Sequence, residues 1–403
     1  MNTTRRALLA LAGASGFAVR AKADAPPLDW PAMAARSKGQ VVAWNAWAGD
    51  DRTNAFIAWT NERMRALHDV GVQHVRLRDT SEAVARVVAE KAAGRDSDGS
   101  VDLIWINGPN FLSMKQQGLL FGPMVDSLPN AALIDRAGKP TTMTDFTVPV
   151  DGYEAPWRMA QIVFLHDSAR VPDPPRSMAA MLDWARAHPG RLTHPTARNF
   201  LGATFLKQAL HAFAPDTAAL QRPVVEAEFA PATEALWTWY TALRPSLWRS
   251  GRNFPESGPA QRSLMNDGEV DISISFNPAE AATAIAQGTL PPSVRTYVLD
   301  GGTIGNCSFN GIPYNAAHRE AALLLVNFLL SPEAQAHQMG PSLTGSPTVL
   351  ALGRLSPADR RLFDDLPKSP AMLSGAELGR PLPEPHPTWM TRLVAEWERR
   401  VIG

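Results

Sequence analysis

Two periods of apolar and polar residues alternate along the chain, and the switches between them outline a fold. Val41-Val42-Ala43-Trp44 is a short apolar run, which reads as a buried strand. Residues 51–69 follow helical spacing. Asp50-Asp51 opens them, where carboxylates favour the positive end of a helix dipole. His74 to Arg78 alternates as a strand. Asp79, with Glu82 three residues on, caps a second helix striped by Val84, Val87 and Val88, and Gly94 lies near its end. Val101 to Ile106 is a third strand. This β-α-β-α-β order implies a parallel sheet covered by helices, with right-handed crossovers. If the strand order is 2-1-3, the loops Asn45–Asp50 and Asn107–Phe111 face one crevice, where open α/β sheets bind ligands.

A second α/β block follows. Gln161 to Leu165 is strand-like, residues 177–187 are helical, and a short strand near 191–193 leads to Asn199, which opens another helix. A further helix ends near Asn266. Val270 to Phe276 alternates as a strand, Asn277 caps the next helix with Pro278 at its first position, and Arg295 to Leu299 is a strand ended by Gly301-Gly302. Ala321 to Leu330 is apolar nearly all round and reads as a buried helix. Residues 340–390 are rich in proline and loops, and 388–401 form a closing helix.

The N-terminus carries an address. Arg5-Arg6 precede the apolar run Ala7 to Val19, and Ala21-Lys22-Ala23 fits a small-x-small cleavage site. The run is too short to span a bilayer, so residues 1–23 are expected to be a signal peptide, and the paired arginines allow twin-arginine export. Residues 24–37 read as an exposed lead-in. Among 403 residues, 39 basic and 39 acidic side chains balance, so nothing favours nucleic acid. Loss of Arg5, Arg6, Arg20 and Lys22 with the signal would leave the mature chain mildly acidic. The single cysteine, Cys307, excludes an intrachain disulfide. No later segment reads as a membrane span.

Enzyme signatures are missing: there is no Gly-x-Ser-x-Gly elbow in the mature chain, no P-loop and no Gly-x-Gly-x-x-Gly, so no cofactor is expected. His188 and His194 lack metal-site spacing and read as a surface turn. Cys307 is a nucleophile candidate or a small core residue. Binding signals are stronger. Asn recurs beside an aromatic at strand ends: Trp44-Asn45, Asn107 after Trp105, Asn199-Phe200, Phe276-Asn277 and Phe309-Asn310. Asn donates and accepts, which suits a pocket that fixes a ligand's orientation, although each can equally form a turn or cap. Asn110 lies in the second crevice loop. Trp44 and Trp47 with Asp50 would favour a cation, unless Trp44 is core and Asp50 only caps its helix. Trp157-Arg158 offers a partner for a carboxylate or phosphate, or a hinge ion pair.

Three stretches resemble one family. Gly311-Ile312-Pro313 with Asn327 to Gln335 is similar to the closing segment of ABC solute-binding proteins. Ala155-Pro156-Trp157 and Pro174 to Ser177 resemble their passage into a second lobe. Trp44 to Asp50, Ala83 to Val87 and Val101 to Gly108 resemble the YnjB-like branch. The resemblance implies an α/β, two-lobe type 2 periplasmic-binding fold. Lobe one would span 38–155 and 303–403 and lobe two 156–302, with crossings near 155–160 and 300–306. It implies a monomeric periplasmic receptor that closes on a small molecule and passes it to an ABC permease and ATPase. A sensor or scaffold subunit, or an exported enzyme on the same fold, is the alternative. Related branches bind thiamine, polyamines or ferric iron. The tyrosines here, Tyr153, Tyr240, Tyr297 and Tyr314, are never adjacent, against iron, while the Trp/Asp loop leans toward a cationic organic such as thiamine.

Overall fold

The computed structural model describes residues 28–340 and 343–403, so the expected signal peptide lies outside the described residues. Two sheets organise the chain, the first mixed and the second antiparallel. The first has the order β2-β1-β3-β10-β6. Its strands are β1 (Val41–Trp47), β2 (Gly71–Leu77), β3 (Leu103–Ile106), β6 (Glu154–Gln161) and β10 (Gly305–Gly311). Strands β1, β2 and β3 are parallel, in the 2-1-3 order expected, and β10 runs antiparallel between β3 and β6. A small hairpin, β4 (Thr144–Asp145) with β5 (Val148–Pro149), lies beside it. The second sheet has β7 (Val163–Asp167) at its centre, antiparallel to both β8 (Ile272–Ser275) and β9 (Val294–Tyr297).

Helices α1 (Trp30–Ser37), α2 (Asp51–His68), α3 (Ser81–Ala92) and α4 (Pro109–Gln116) belong to the first half. The middle of the chain supplies α5 (Met178–Ala187), α6 (Phe200–Phe213), α7 (Glu226–Leu243), α8 (Gly258–Asn266) and α9 (Glu280–Ala286). The last third holds α10 (Arg319–Leu329), α11 (Pro332–Met339), α12 (Pro357–Asp364), α13 (Gly375–Leu378) and α14 (Pro387–Trp397). Each sheet is covered on both faces. Trp44, Phe56, Trp157 and Phe328 share the main core of the first lobe, and Leu77, Ile104 and Phe111 fill its other face. In the second lobe Phe205, Trp237 and Tyr240 pack on one face, and Leu165, Met265 and Val294 on the other.

Three local expectations change. The lead-in is not simply exposed: Asp29 caps α1 by accepting from Ala32 N, Met33 is buried, and Arg36 pairs with Glu320 of α10. Helix α9 starts at Glu280 rather than Pro278, because Asn277 closes a turn on Ala279 N instead of capping it. The tail does not stay with the first lobe. Trp389, Leu393 and Trp397 of α14 sit in the second lobe's core, since their apolar face meets Phe229 and Phe254 there. On the way, Leu382 runs parallel beside Ile304, so a third stretch of chain passes between lobes alongside the two strand connections.

Candidate functional site

A cavity of about 590 Å³ lies where the carboxyl ends of β1, β3 and β6 face the second lobe. That is within the usual range for small-molecule pockets. The topology explains which residues reach it. Residues within β1 are covered on both faces by helices, and only its last residue, Trp47, and the loop beyond it arrive at the gap. Strand β10 runs the other way, so its first half, with Asn306 and Ser308, meets the cavity while its second half is remote.

Of the residues expected from sequence, Trp47, Asp50, Asn107, Asn110, Arg158 and Asn199 line the cavity, as do Phe200 and Asn277. Trp44, Asn45, Trp157 and Asn310 do not; each is at most 1% exposed. Trp44 donates from Nε1 to Asn310 Oδ1 at 3.1 Å and meets Trp157 edge to face at 5.6 Å. Asn45 donates to Ala43 O and accepts from Arg86. These four are structural because they sit inside strands at positions that face covering helices. Sequence reasoning missed Arg52, Trp105 and Phe276, and also Glu280 and Arg262. Trp105 could have been found, since it precedes Asn107 at a strand end. Arg52 and Glu280 could not, because nothing local marks two helical residues as facing each other over a gap.

Asp50 caps α2, accepting from Arg52 N at 2.9 Å and Thr53 N at 3.2 Å. Its carboxylate also holds Arg52 Nη2 at 2.7 Å. Arg52 then reaches into the second lobe, 2.8 Å from Glu280 Oε2 and 2.6 Å from Thr283 Oγ1. Arg262 closes the cluster, 2.6 Å from Glu280 Oε1 and 3.9 Å from Asp50. Burial pushes the Asp50 carboxyl up, but its bonds to Arg52 more than offset this and hold it below the ordinary carboxylate range. Of the two readings open for Asp50, the structure shows the helix cap, with the carboxylate's charge met by Arg52.

Arg158 behaves differently. Its guanidinium lies 4.2 Å from the centroid of Trp105 and 4.5 Å from that of Trp157. Burial pushes it down to about 10, partly countered by the charge of Asp50. Asn107 donates to Cys307 O at 2.8 Å, and Asn277 donates to Thr344 O across the gap. Gly345, at φ +64°, brings its backbone so close that an added Cβ would lie 2.5 Å from Ala279 Cβ.

No tyrosine, histidine, lysine or cysteine lines the cavity among the described residues. Cys307 is fully buried, and burial pushes its thiol well up, which suits a core residue and not a nucleophile. His194, expected in a surface turn, is instead buried between Phe205 and Tyr240, while exposed His188 stacks on Trp184. Among the described residues no cluster of three metal-ligating side chains occurs, and no helix is long and apolar enough to cross a membrane.

Two α/β lobes with a ligand-sized cavity at facing strand ends define a type 2 periplasmic-binding fold. The sequence agrees: the family described as bacterial extracellular solute-binding protein matches residues 62–352, and this chain belongs to it. Protein YnjB of Escherichia coli strain K12 is 38% identical over 377 residues, 92% of this chain and 94% of YnjB. The spermidine/putrescine ABC transporter substrate-binding protein PotD from Streptococcus pneumoniae, in complex with calcium and HEPES, is 13% identical. Its TM-score is 0.62, over 90% of this chain and 98% of PotD. The periplasmic binding protein AfuA from Actinobacillus pleuropneumoniae, with fructose-6-phosphate bound, is 14% identical. Its TM-score is 0.61, over 90% of this chain and 99% of AfuA.

Proposed function

We propose that this protein is the exported receptor of an ABC importer: it captures a small solute in the 590 Å³ cavity, closes, and presents the loaded form to a permease and ATPase. One observation carries the reading. Polar pairs such as Arg52 with Glu280 and Asn277 with Thr344 join the lobes across the gap, while the space between stays open for a ligand. An open gap bridged by such pairs suits hinge closure, in which a ligand adds the differential contact that favours the closed form. PotD, which serves an ABC transporter as its substrate-binding protein, supports the transport role. The signal-like residues 1–23 support release into the periplasm, and a monomer suffices because one chain supplies both jaws. Trp47, Asn107, Asn110, Asn199, Phe200 and Asn277 are the proposed ligand contacts. Asp50 serves by positioning Arg52.

Native mass spectrometry of protein purified without unfolding tests this. The expected result is a bound small molecule of defined mass that leaves unchanged on denaturation. Steady conversion of an added compound to product would contradict it.

A further inference from the structure

The charges inside the cleft do not cancel. Inside its rim the cavity holds Arg52, Arg158 and Arg262 against Asp50 and Glu280. The two carboxylates are occupied by Arg52 and Arg262 at 2.6 to 2.8 Å. Arg158 is left over. Among the described residues its guanidinium has neither a hydrogen bond nor an ion pair, and only the faces of Trp105 and Trp157 lie against it. At the rim, Arg78 and Arg198 are balanced in number by Asp79 and Glu256, and all four are exposed.

We propose that Arg158 is the anchor for an anionic ligand, and that the cleft takes a small organic anion whose carboxylate or phosphate seats on this guanidinium. This rests on the receptor reading and names the class of solute. Arg158 is half-buried and faces the cavity, and a partly desolvated cation left without a counter-charge favours an anion that enters beside it. An arginine fork matches the two oxygens of a carboxylate or phosphate, and its planar face keeps the stack on Trp105 while its edge donates. Ser308 lines the cavity one strand away, since it pairs with Arg158 in the β10–β6 register, and its hydroxyl can join the same oxyanion. The rest of the ligand would lie along Trp47, Phe200 and Phe276, which supply an apolar and aromatic wall.

The test uses the mature protein, freed of bound solute by dialysis, with tryptophan fluorescence and thermal melting as readouts because Trp105 and Trp157 flank the guanidinium. Inorganic phosphate and acetate probe the head group, with chloride at equal ionic strength as control. Phenyl phosphate against phenol, and benzoate against benzamide, compare each oxyanion with its neutral counterpart and separate phosphate from carboxylate. In the wild type an anionic member should bind about tenfold or more tighter than its neutral partner, and Arg158→Met should lose about that factor. Arg158→Lys, which keeps the charge without the fork, should fall between. Ligand-free Arg158→Met should melt close to the wild type, because no ion pair is broken and the methionine still packs on Trp105 and Trp157. The inference is overturned if no anion shifts either readout, if Arg158→Met binds anions as the wild type does, or if its ligand-free form melts clearly lower. Compaction in solution scattering with neutral or cationic compounds, equal in wild type and Arg158→Met, would also overturn it yet leave the receptor reading standing. No compaction with any compound would count against that reading itself.

Discussion

Arg52 Nη2 lies 2.8 Å from Glu280 Oε2, joining the first helix of the opening α/β block to the last helix before β9 across the cleft. Asp50 fixes the arginine from below, so one helix cap both starts α2 and aims an interlobe contact. Replacing Arg52 by Met would leave Glu280 with Arg262 alone and weaken the closed form. Losing one partner of a mostly buried pair costs about 3 kcal/mol or more. The expected outcome is a larger radius of gyration for the ligand-free protein, with unchanged far-ultraviolet circular dichroism. An unchanged radius would mean that the pair does not hold the lobes.

Gly345 makes a second test of the same surface. Its positive φ and its close approach to Ala279 and Thr283 leave no room for a methyl group. Gly345→Ala should hold the lobes apart and raise the dissociation constant of any bound solute, read by titration, while urea melts of the separate cores stay close to wild type.

Lys207 and Glu384 form an ion pair of 2.7 Å with both side chains essentially unexposed, and Asn306 donates to the same carboxylate at 2.9 Å. Burial pushes the lysine down and the carboxyl up, each partly countered by the other. Lys207→Met alone should destabilise by about 3–5 kcal/mol because Glu384 is left buried without its counter-charge. The double change Lys207→Met with Glu384→Gln should recover most of that loss in urea denaturation. If the double variant is no better than the single, the pair is not the cause.

Acid should weaken the fold in part through His194. This ring is stacked 4.6 Å from Phe205, hydrogen-bonded to Tyr240 Oη at 2.9 Å, and pushed down to about 4 by burial. The unfolded imidazole titrates near 6.5, so between about pH 6.5 and 4 the unfolded chain binds the extra proton. The contribution is complete above about pH 6.5 and is lost as pH falls toward 4, amounting to about 3 kcal/mol. His194→Gln should flatten the stability profile in that window, measured by denaturation at pH 7.5 and 5. A profile as steep as the wild type would remove His194 from the account.

The strand and helix order of the first block could be read from the chain because its signals are local. Val41 to Trp44, the Asp50 cap and the Val84 stripe each state one element, and parallel packing follows from their alternation. The same locality explains the errors. Trp44-Asn45 and Phe309-Asn310 look like Trp105 to Asn107 in sequence, but strand direction and helix cover decide which pairs reach the gap. Antiparallel β10 turns Asn310 away and brings Ser308 in. The return of Trp389, Leu393 and Trp397 to the second core depends on contacts over a hundred residues distant, such as Trp397 Nε1 donating to Tyr240 Oη at 2.7 Å. Arg158 was legible as an anion partner or a hinge ion pair, and only the geometry shows it without a carboxylate beside it.

The hinged receptor is tested most directly by small-angle scattering of the purified mature protein, first stripped of solute and then titrated with a broad set of metabolites. A lower radius of gyration with at least one compound, reversible on dialysis and without chemical change in that compound, is the result predicted. A radius that stays constant across the whole set would contradict it.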